Sequence, residues 1–222
     1  MRQYKELKGE CEMLENIEVL YHSSIRFSKE EVIYFDPFKI EKNYNDADVI
    51  FITHDHYDHY SEEDIGKVVK EDTIIVVPED LKTKLLKKGL KEKNIITVRP
   101  NENYTVKNIE FKAIPAYNVN KQFHPKENAW VGYLLEIEGV TYYIAGDTDI
   151  TEENKKVKCD VAFVPVGGTY TMDYKEAAEL INEIKPKIAV PTHYGSIVGS
   201  KEDGIKFSKL VNPEIEVEIL MK

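Results

Sequence analysis

The chain has 222 residues, 42% of them hydrophobic and 32% charged, enough apolar residues to bury a core without covalent staples and too many for a disordered chain. Forty acidic against thirty basic residues leave a net charge of −10, which argues against a protein that holds nucleic acid nonspecifically through released counterions. Cys11 and Cys159 are too few and too far apart for a thiolate metal site or a disulfide framework, and they read as ordinary intracellular thiols.

The opening stretch Met1–Lys8 lacks the apolar run of a signal peptide, and no apolar segment approaches the roughly 20 residues of a membrane span, so a cytoplasmic protein without membrane contact is expected. No repeat or Pro/Gly/Ser linker divides the chain, and one domain over residues 1–222 is the expectation. Runs rich in Val, Ile, Tyr and Phe predict strands at Ile17–Tyr21, Ile25–Phe27, Val32–Phe35, Val49–Thr53 and Thr73–Val77. Further strands are predicted at Ile109–Pro115, Val131–Glu138, Thr141–Ala145, Val161–Val166, Ile188–Pro191 and Ile215–Leu220.

Helices are fewer. Ser61-Glu62-Glu63-Asp64 has the form of a capping box opening a helix to about Lys70, and Pro78–Lys88 carries Leu81, Leu85 and Leu86 on one face before Gly89. Asp173 caps a third helix with Ala177, Leu180, Ile181 and Ile184 at helical spacing, and Ser200 is the expected cap of a fourth. The lysines at 82, 84, 87, 88, 91 and 93 read as a solvated face, since no aromatic residues interleave them. Paired strands followed by strands alternating with helices suggest two mixed sheets packed together with helices outside.

Three of the six histidines fall within Thr53-His54-Asp55-His56-Tyr57-Asp58-His59, directly after an apolar strand. Neutral imidazole and carboxylate are both good ligands for zinc and similar ions, and a turn there can hold them around a small space, so this loop is read as a metal site. Two other predicted strands stop at Asp147 and at His193, each beside a glycine, Gly146 and Gly195, that lets backbone approach a crowded site. They are the further candidate ligands.

The loop resembles the His-x-His-x-Asp-His signature of the metallo-β-lactamase superfamily of metal-dependent hydrolases. Tyr21-His22-Ser23-Ser24, Phe35-Asp36-Pro37-Phe38, Ala145-Gly146-Asp147-Thr148, and Val164–Met172 running on to Pro191-Thr192-His193-Tyr194 resemble a branch that includes ascorbate-6-phosphate lactonase-like proteins. The resemblance implies a four-layer αββα sandwich with metals at one edge of the two sheets. It also implies His54 and His56 on a first metal, Asp58, His59 and His193 on a second, and Asp147 bridging them.

One family position departs. Where a further histidine for the first metal is usual, this chain reads Ile114-Pro115-Ala116-Tyr117-Asn118, and the nearest histidine is His124. Either His124 folds into the vacancy, which is the favoured reading, or Asn118 or water completes a weaker first site. His22 is expected in a supporting role near the site, and Asp36 as an acceptor that orients the His54 loop.

The expected cofactor is one or two divalent ions per chain, zinc first, with manganese, iron or nickel as alternatives. The expected reaction is attack of a metal-bound hydroxide on an ester, lactone or phosphodiester. Asp58 would orient the nucleophile or relay its proton, Tyr194 or Asn118 would steady the oxyanion, and Lys121 and Lys126 would draw in a small anionic substrate. Nucleic acid is disfavoured as a partner and an oligomer is left open. The non-enzymatic alternative is a metal-binding structural or regulatory protein of the same fold.

Overall fold

The computed structural model describes residues 12–221; Cys11 and the Met1–Lys8 stretch lie outside the described residues. A first sheet takes β1 (Ile17–Tyr21), β2 (Ser24–Ser28), β3 (Val32–Phe35), β4 (Ala47–Phe51), β5 (Val69–Pro78) and β6 (Ile95–Val98) in that spatial order. Its first three strands pair antiparallel and the remainder parallel. A second sheet runs through β7 (Asn103–Val106), β8 (Ile109–Pro115), β9 (Val131–Ile137), β10 (Val140–Ile144), β11 (Val161–Pro165), β12 (Ile188–Thr192) and β13 (Glu216–Val217). Here β7 to β10 are antiparallel neighbours and β10 to β13 parallel ones, so both sheets are mixed as expected.

Three apolar clusters account for four layers. Phe27, Phe35, Phe51, Phe111, Tyr133, Tyr142 and Phe163 interdigitate between the two sheets. Helices α1 (Glu62–Val68) and α2 (Lys82–Lys87) cover the outer face of the first sheet, where Ile65, Val68 and Leu85 meet Tyr34, Ile50 and Ile75. Helices α3 (Tyr174–Ile184) and α4 (Asp203–Ser208) cover the second, Leu180, Ile181 and Phe207 meeting Tyr143, Ala162 and Ala189. The central strands therefore bury one side chain inward and the next under a helix, which is why β11 and β12 read as unbroken apolar runs and are buried throughout. The αββα sandwich follows from this packing.

Local chemistry explains most element ends. Ser61 caps α1 by accepting from the Asp64 amide, and Asp173 caps α3 in a full capping box with Glu176. The fourth helix differs: Glu202 precedes it, while Ser200 donates its amide to Asp203 Oδ2 at 2.6 Å and so closes a turn before the helix instead of capping it. The Pro78–Lys88 segment divides into the last residue of β5, a 3₁₀ turn at Glu79–Leu81, and α2. The Ile215–Leu220 run pairs with β12 only at Glu216 and Val217. Cys159 is partly buried and unpaired, its thiol pushed up to about 12 by burial. No helix among the described residues is long and apolar enough to cross a membrane.

Candidate metal centre

The strand directions bring the chemistry to one edge. In the first sheet β1, β3 and β4 point the same way, and in the second β8, β10 and β12 do. His22 follows β1, Asp36 follows β3, the His54–His59 loop follows β4, His124 lies in the loop after β8, Asp147 follows β10 and His193 follows β12. Ligands distant in sequence thus share one end of the sandwich because each terminates a strand running toward it.

Two groups of donor atoms form there, His54, His56, His124 and Asp147 in one and His22, Asp58, His59 and His193 in the other, the atoms within each group lying within 4.8 Å of one another. Asp147 reaches both. Its Oδ2 lies 3.3 Å from His124 Nε2 and 3.0 Å from His193 Nε2, and its Oδ1 lies 3.3 Å from His59 Nε2. Asp58 Oδ2 stands 3.4 Å from His22 Nε2 and 3.9 Å from the Nε2 atoms of His59 and His193.

Surrounding groups fix the rings so that bare nitrogens face inward. Asp36 accepts from the Thr53 amide at 2.8 Å, from Thr53 Oγ1 at 2.6 Å and from His59 Nδ1 at 2.7 Å. A proton on His59 Nδ1 leaves its Nε2 lone pair for the site. Thr53 Oγ1 is 2.9 Å from His54 Nδ1, Ser196 Oγ is 3.1 Å from His22 Nδ1, and Asn118 Oδ1 accepts the His124 amide at 3.0 Å. His22, Asp36 and His193 all hold positive φ, 54°, 43° and 57°, backbone strain that L residues retain where neighbouring contacts overdetermine it. Gly146, at φ 64°, precedes Asp147 so closely against Thr53 and Val131 that a Cβ would come within 3.1 Å of both.

Electrostatics match ligand chemistry. Burial holds His54 well below its ordinary range, reinforced by His59, and burial and His124 lower His56. Burial lowers His22 to about 4 although Asp58 opposes it. Burial alone would raise Asp147 and Asp58, but His193, His59 and His124 keep the first carboxyl well below the usual range, and His22 and His59 keep the second below it. His59 is the exception: burial lowers it, yet Asp147 and Asp36 together push it well above its usual value, so two carboxylates favour positive charge between them. Cationic charge is wanted at that point.

The orphaned atoms give the same answer. His22 Nε2, His59 Nε2, Asp147 Oδ1 and both ring nitrogens of His193 are buried without a hydrogen-bond partner, a desolvation cost that divalent cations on nitrogen and oxygen ligands would remove. The donor set therefore fits two such ions.

Of the residues expected from sequence, His54, His56, Asp58, His59, His124, Asp147 and His193 converge. His22 stands closer than a supporting role requires, its Nε2 among the donor atoms. Asn118 holds His124 through its carbonyl oxygen and donates from Nδ2 to the Tyr170 carbonyl at 2.9 Å, so it braces the loop. Tyr194 is not brought to the cluster: it packs in the α3–α4 core, its hydroxyl so close to Gly204 that no Cβ would fit there. Lys121 is paired to Asp149 at 2.6 Å and Lys126 to Glu153 at 2.9 Å, so neither ammonium is free. Sequence reasoning missed Thr53, Ser196 and Trp130, whose indole packs 5.0 Å from His54 and 4.9 Å from His56. The place of Thr53 beside His54 is a signal; Ser196 and Trp130 offer none without the fold.

Comparison with known proteins agrees with this geometry. The family described as the beta-lactamase superfamily domain matches residues 16–193. A UPF0173 metal-dependent hydrolase of Pyrococcus furiosus is 30% identical over 185 residues, 80% of each chain, and one of Saccharolobus solfataricus is 32% identical over 181 residues, 79% of this chain and 78% of the relative. A crystal structure of a protein described as a metal-dependent hydrolase from Parabacteroides distasonis superposes with a TM-score of 0.78 at 30% identity, covering 93% of both chains. With the αββα sandwich and the His-x-His-x-Asp-His loop in place, the chain belongs to the metallo-β-lactamase superfamily, among the UPF0173 metal-dependent hydrolases.

Proposed function

We propose that this protein is a metal-dependent hydrolase acting on an ester, lactone or phosphodiester. The observation that carries the reading is the pair of donor groups sharing Asp147, with buried atoms left unpaired between them. His54, His56 and His124 would hold one ion, His22, Asp58, His59 and His193 the other, and Asp147 would touch both. Zinc is the first choice for this set of imidazoles and carboxylates, with manganese, iron and nickel as alternatives. Two divalent ions there would lower the pKa of water toward neutrality and polarise a carbonyl or phosphoryl oxygen.

The chain's own residues do the remainder. Asp58, whose Oδ2 lies nearest to His22, is the group placed to accept and pass on a proton. Asp36 and Thr53 keep His54 and His59 from rotating as substrate arrives. An anionic reacting group would be attracted by the ions themselves, since Lys121 and Lys126 are already engaged. The resemblance to lactonase-like proteins makes sugar lactones and phosphodiesters the first substrates to try.

The test is a panel of phosphodiesters, sugar lactones and thioesters offered to the protein loaded with each metal in turn. At least one class should be hydrolysed, and turnover should vanish on chelation and in Asp58→Ala. A fully metallated protein inert to all of them would hand the site to a structural or regulatory role.

A further inference from the structure

Buried cages need a mouth, and the residues at this one are apolar. Among the described residues, the exposed large hydrophobic side chains include Tyr57, Val119 and Phe123, and all three stand on loops that carry ligands. Tyr57 sits between His56 and Asp58 and is 68% exposed, more than any other of that set; Phe123 precedes His124 and is 47% exposed. Each is anchored by a donor residue beside it in the chain, His56 and Asp58 for Tyr57 and His124 for Phe123.

These side chains continue one another. The Phe123 ring meets Tyr170 edge to face at 4.6 Å, and the backbone carbonyl of Tyr170 is the acceptor for Asn118, the residue that braces His124. Tyr57 meets Phe38 at 6.0 Å, and Phe38 meets Tyr21, which precedes His22, at 5.9 Å. Two aromatic groups therefore border the donor cluster, one from the β1 turn to the His54 loop and one on the His124 loop.

Charge on the ligand loops is spent internally. Lys121 is held by Asp149 and lies 3.7 Å from Glu176, Lys126 is held by Glu153 and Tyr117, and Lys84 by Asp55. Lys39 lies 5.5 Å over the Phe38 ring. On the His54 and His124 loops, no lysine is left free to recruit a second anionic group.

We propose that Tyr57, Phe123 and Tyr170 bind an uncharged apolar group of the substrate, an aromatic ring or an acyl chain adjoining the bond that is cleaved. The proposal rests on the hydrolase reading and narrows it. Ligand sites in general place a few polar groups within an apolar lining, and here the polar groups are the cage and the lining is this border. Binding energy gathered on the non-reacting part of a substrate serves to position the reacting part.

Hydroxamates test the idea without requiring turnover, since the hydroxamate group chelates metal and the flanking group can be varied. Acetohydroxamate, phenylacetohydroxamate and the monohydroxamate of succinate would be titrated by calorimetry into zinc-loaded protein. Phenylacetohydroxamate should bind roughly tenfold or more tighter than acetohydroxamate, as partial burial of a ring allows, and the succinate probe should show no such gain. In the double variant Tyr57→Ala with Phe123→Ala the ratio of the first two affinities should fall toward one. Equal affinities in the native protein, or tightest binding of the succinate probe, would overturn the apolar border while leaving the hydrolase reading to the turnover panel. Failure of every hydroxamate to bind zinc-loaded protein, with no turnover of any substrate class, would remove both.

Discussion

His124 Nε2 lies 3.3 Å from Asp147 Oδ2 and 3.4 Å from His54 Nε2, although His124 sits well into the loop after β8 and the position nearer that strand's end is taken by Asn118. The loop makes this possible by folding back on itself. The Asn118 amide donates to the His124 carbonyl at 2.8 Å while Asn118 Oδ1 accepts the His124 amide at 3.0 Å, a reciprocal pair that delivers the ring to the cage.

That division of labour predicts graded losses. His124→Ala should reduce metal content toward one equivalent per chain, because one of few direct donors to the first site is gone. Asn118→Ala should keep both equivalents at saturating metal but weaken the first site by about 10- to 100-fold, the usual cost of losing a group that orients a ligand. Metal titration followed by elemental analysis separates the two; equal effects would show that Asn118 is itself a ligand.

Asp147 and His193 should differ in a complementary way. Asp147 contacts donors of both groups and His193 belongs to one, so Asp147→Ala should lower the affinity of both sites, whereas His193→Ala should empty chiefly the site of Asp58 and His59. Both variants should remain folded, since the cluster between the sheets is independent of the ligands. Competition with a chromogenic chelator gives the two affinities, and indistinguishable losses would contradict a bridging Asp147.

The single tryptophan supplies a direct readout. Trp130 packs against His54, His56 and His124, with its indole nitrogen donating to Asp80 at 2.9 Å. Loading the first site should change its fluorescence, and His124→Ala should blunt that change more than His193→Ala does. A signal that follows only the second site would mean that the two groups fill in an order or arrangement other than the one proposed.

How much of this was legible beforehand depends on whether the cause was local. The His54–His59 loop, Asp147 and His193 announce themselves because each follows an apolar run with a polar stop, and the caps at Ser61 and Asp173 are short-range chemistry. β7 escapes because Asn103, Tyr104 and Thr105 are exposed or half-buried on an edge strand, so no apolar run marks it. Tyr194 shows the opposite failure. Adjacency to His193 suggests a catalytic hydroxyl, but the positive φ of His193 turns the next side chain away, under α4. His22 needed both sheets: only the fold stacks its ring 3.8 Å from His193 and leaves its Nε2 facing Asp58.

Asp64 ties stability to pH at a point remote from the ligands. Its carboxylate accepts from the Lys39 and Ile40 amides, each at 3.0 Å, from Ser61 Oγ at 2.7 Å and from Lys67 Nζ at 2.9 Å, pinning the segment that follows Asp36 onto α1. Burial would raise this carboxyl, but Ser61, Lys67 and the two amides hold it below the ordinary carboxylate range. A depressed folded-state value means that the contribution is fully present above the unfolded pKa, about 3.9, and is lost as pH falls through the folded value. Asp64→Asn should therefore destabilise the metal-free protein by roughly 1–3 kcal/mol at pH 7, the range for breaking buried hydrogen bonds to a charged acceptor. Below about pH 4 the gap between the two proteins should narrow as the native carboxylate takes up its proton. Urea unfolding of both at a series of pH values measures the gap directly, and a difference that stays constant from neutral to strongly acidic pH would mean that Asp64 acts through packing and not through its charge.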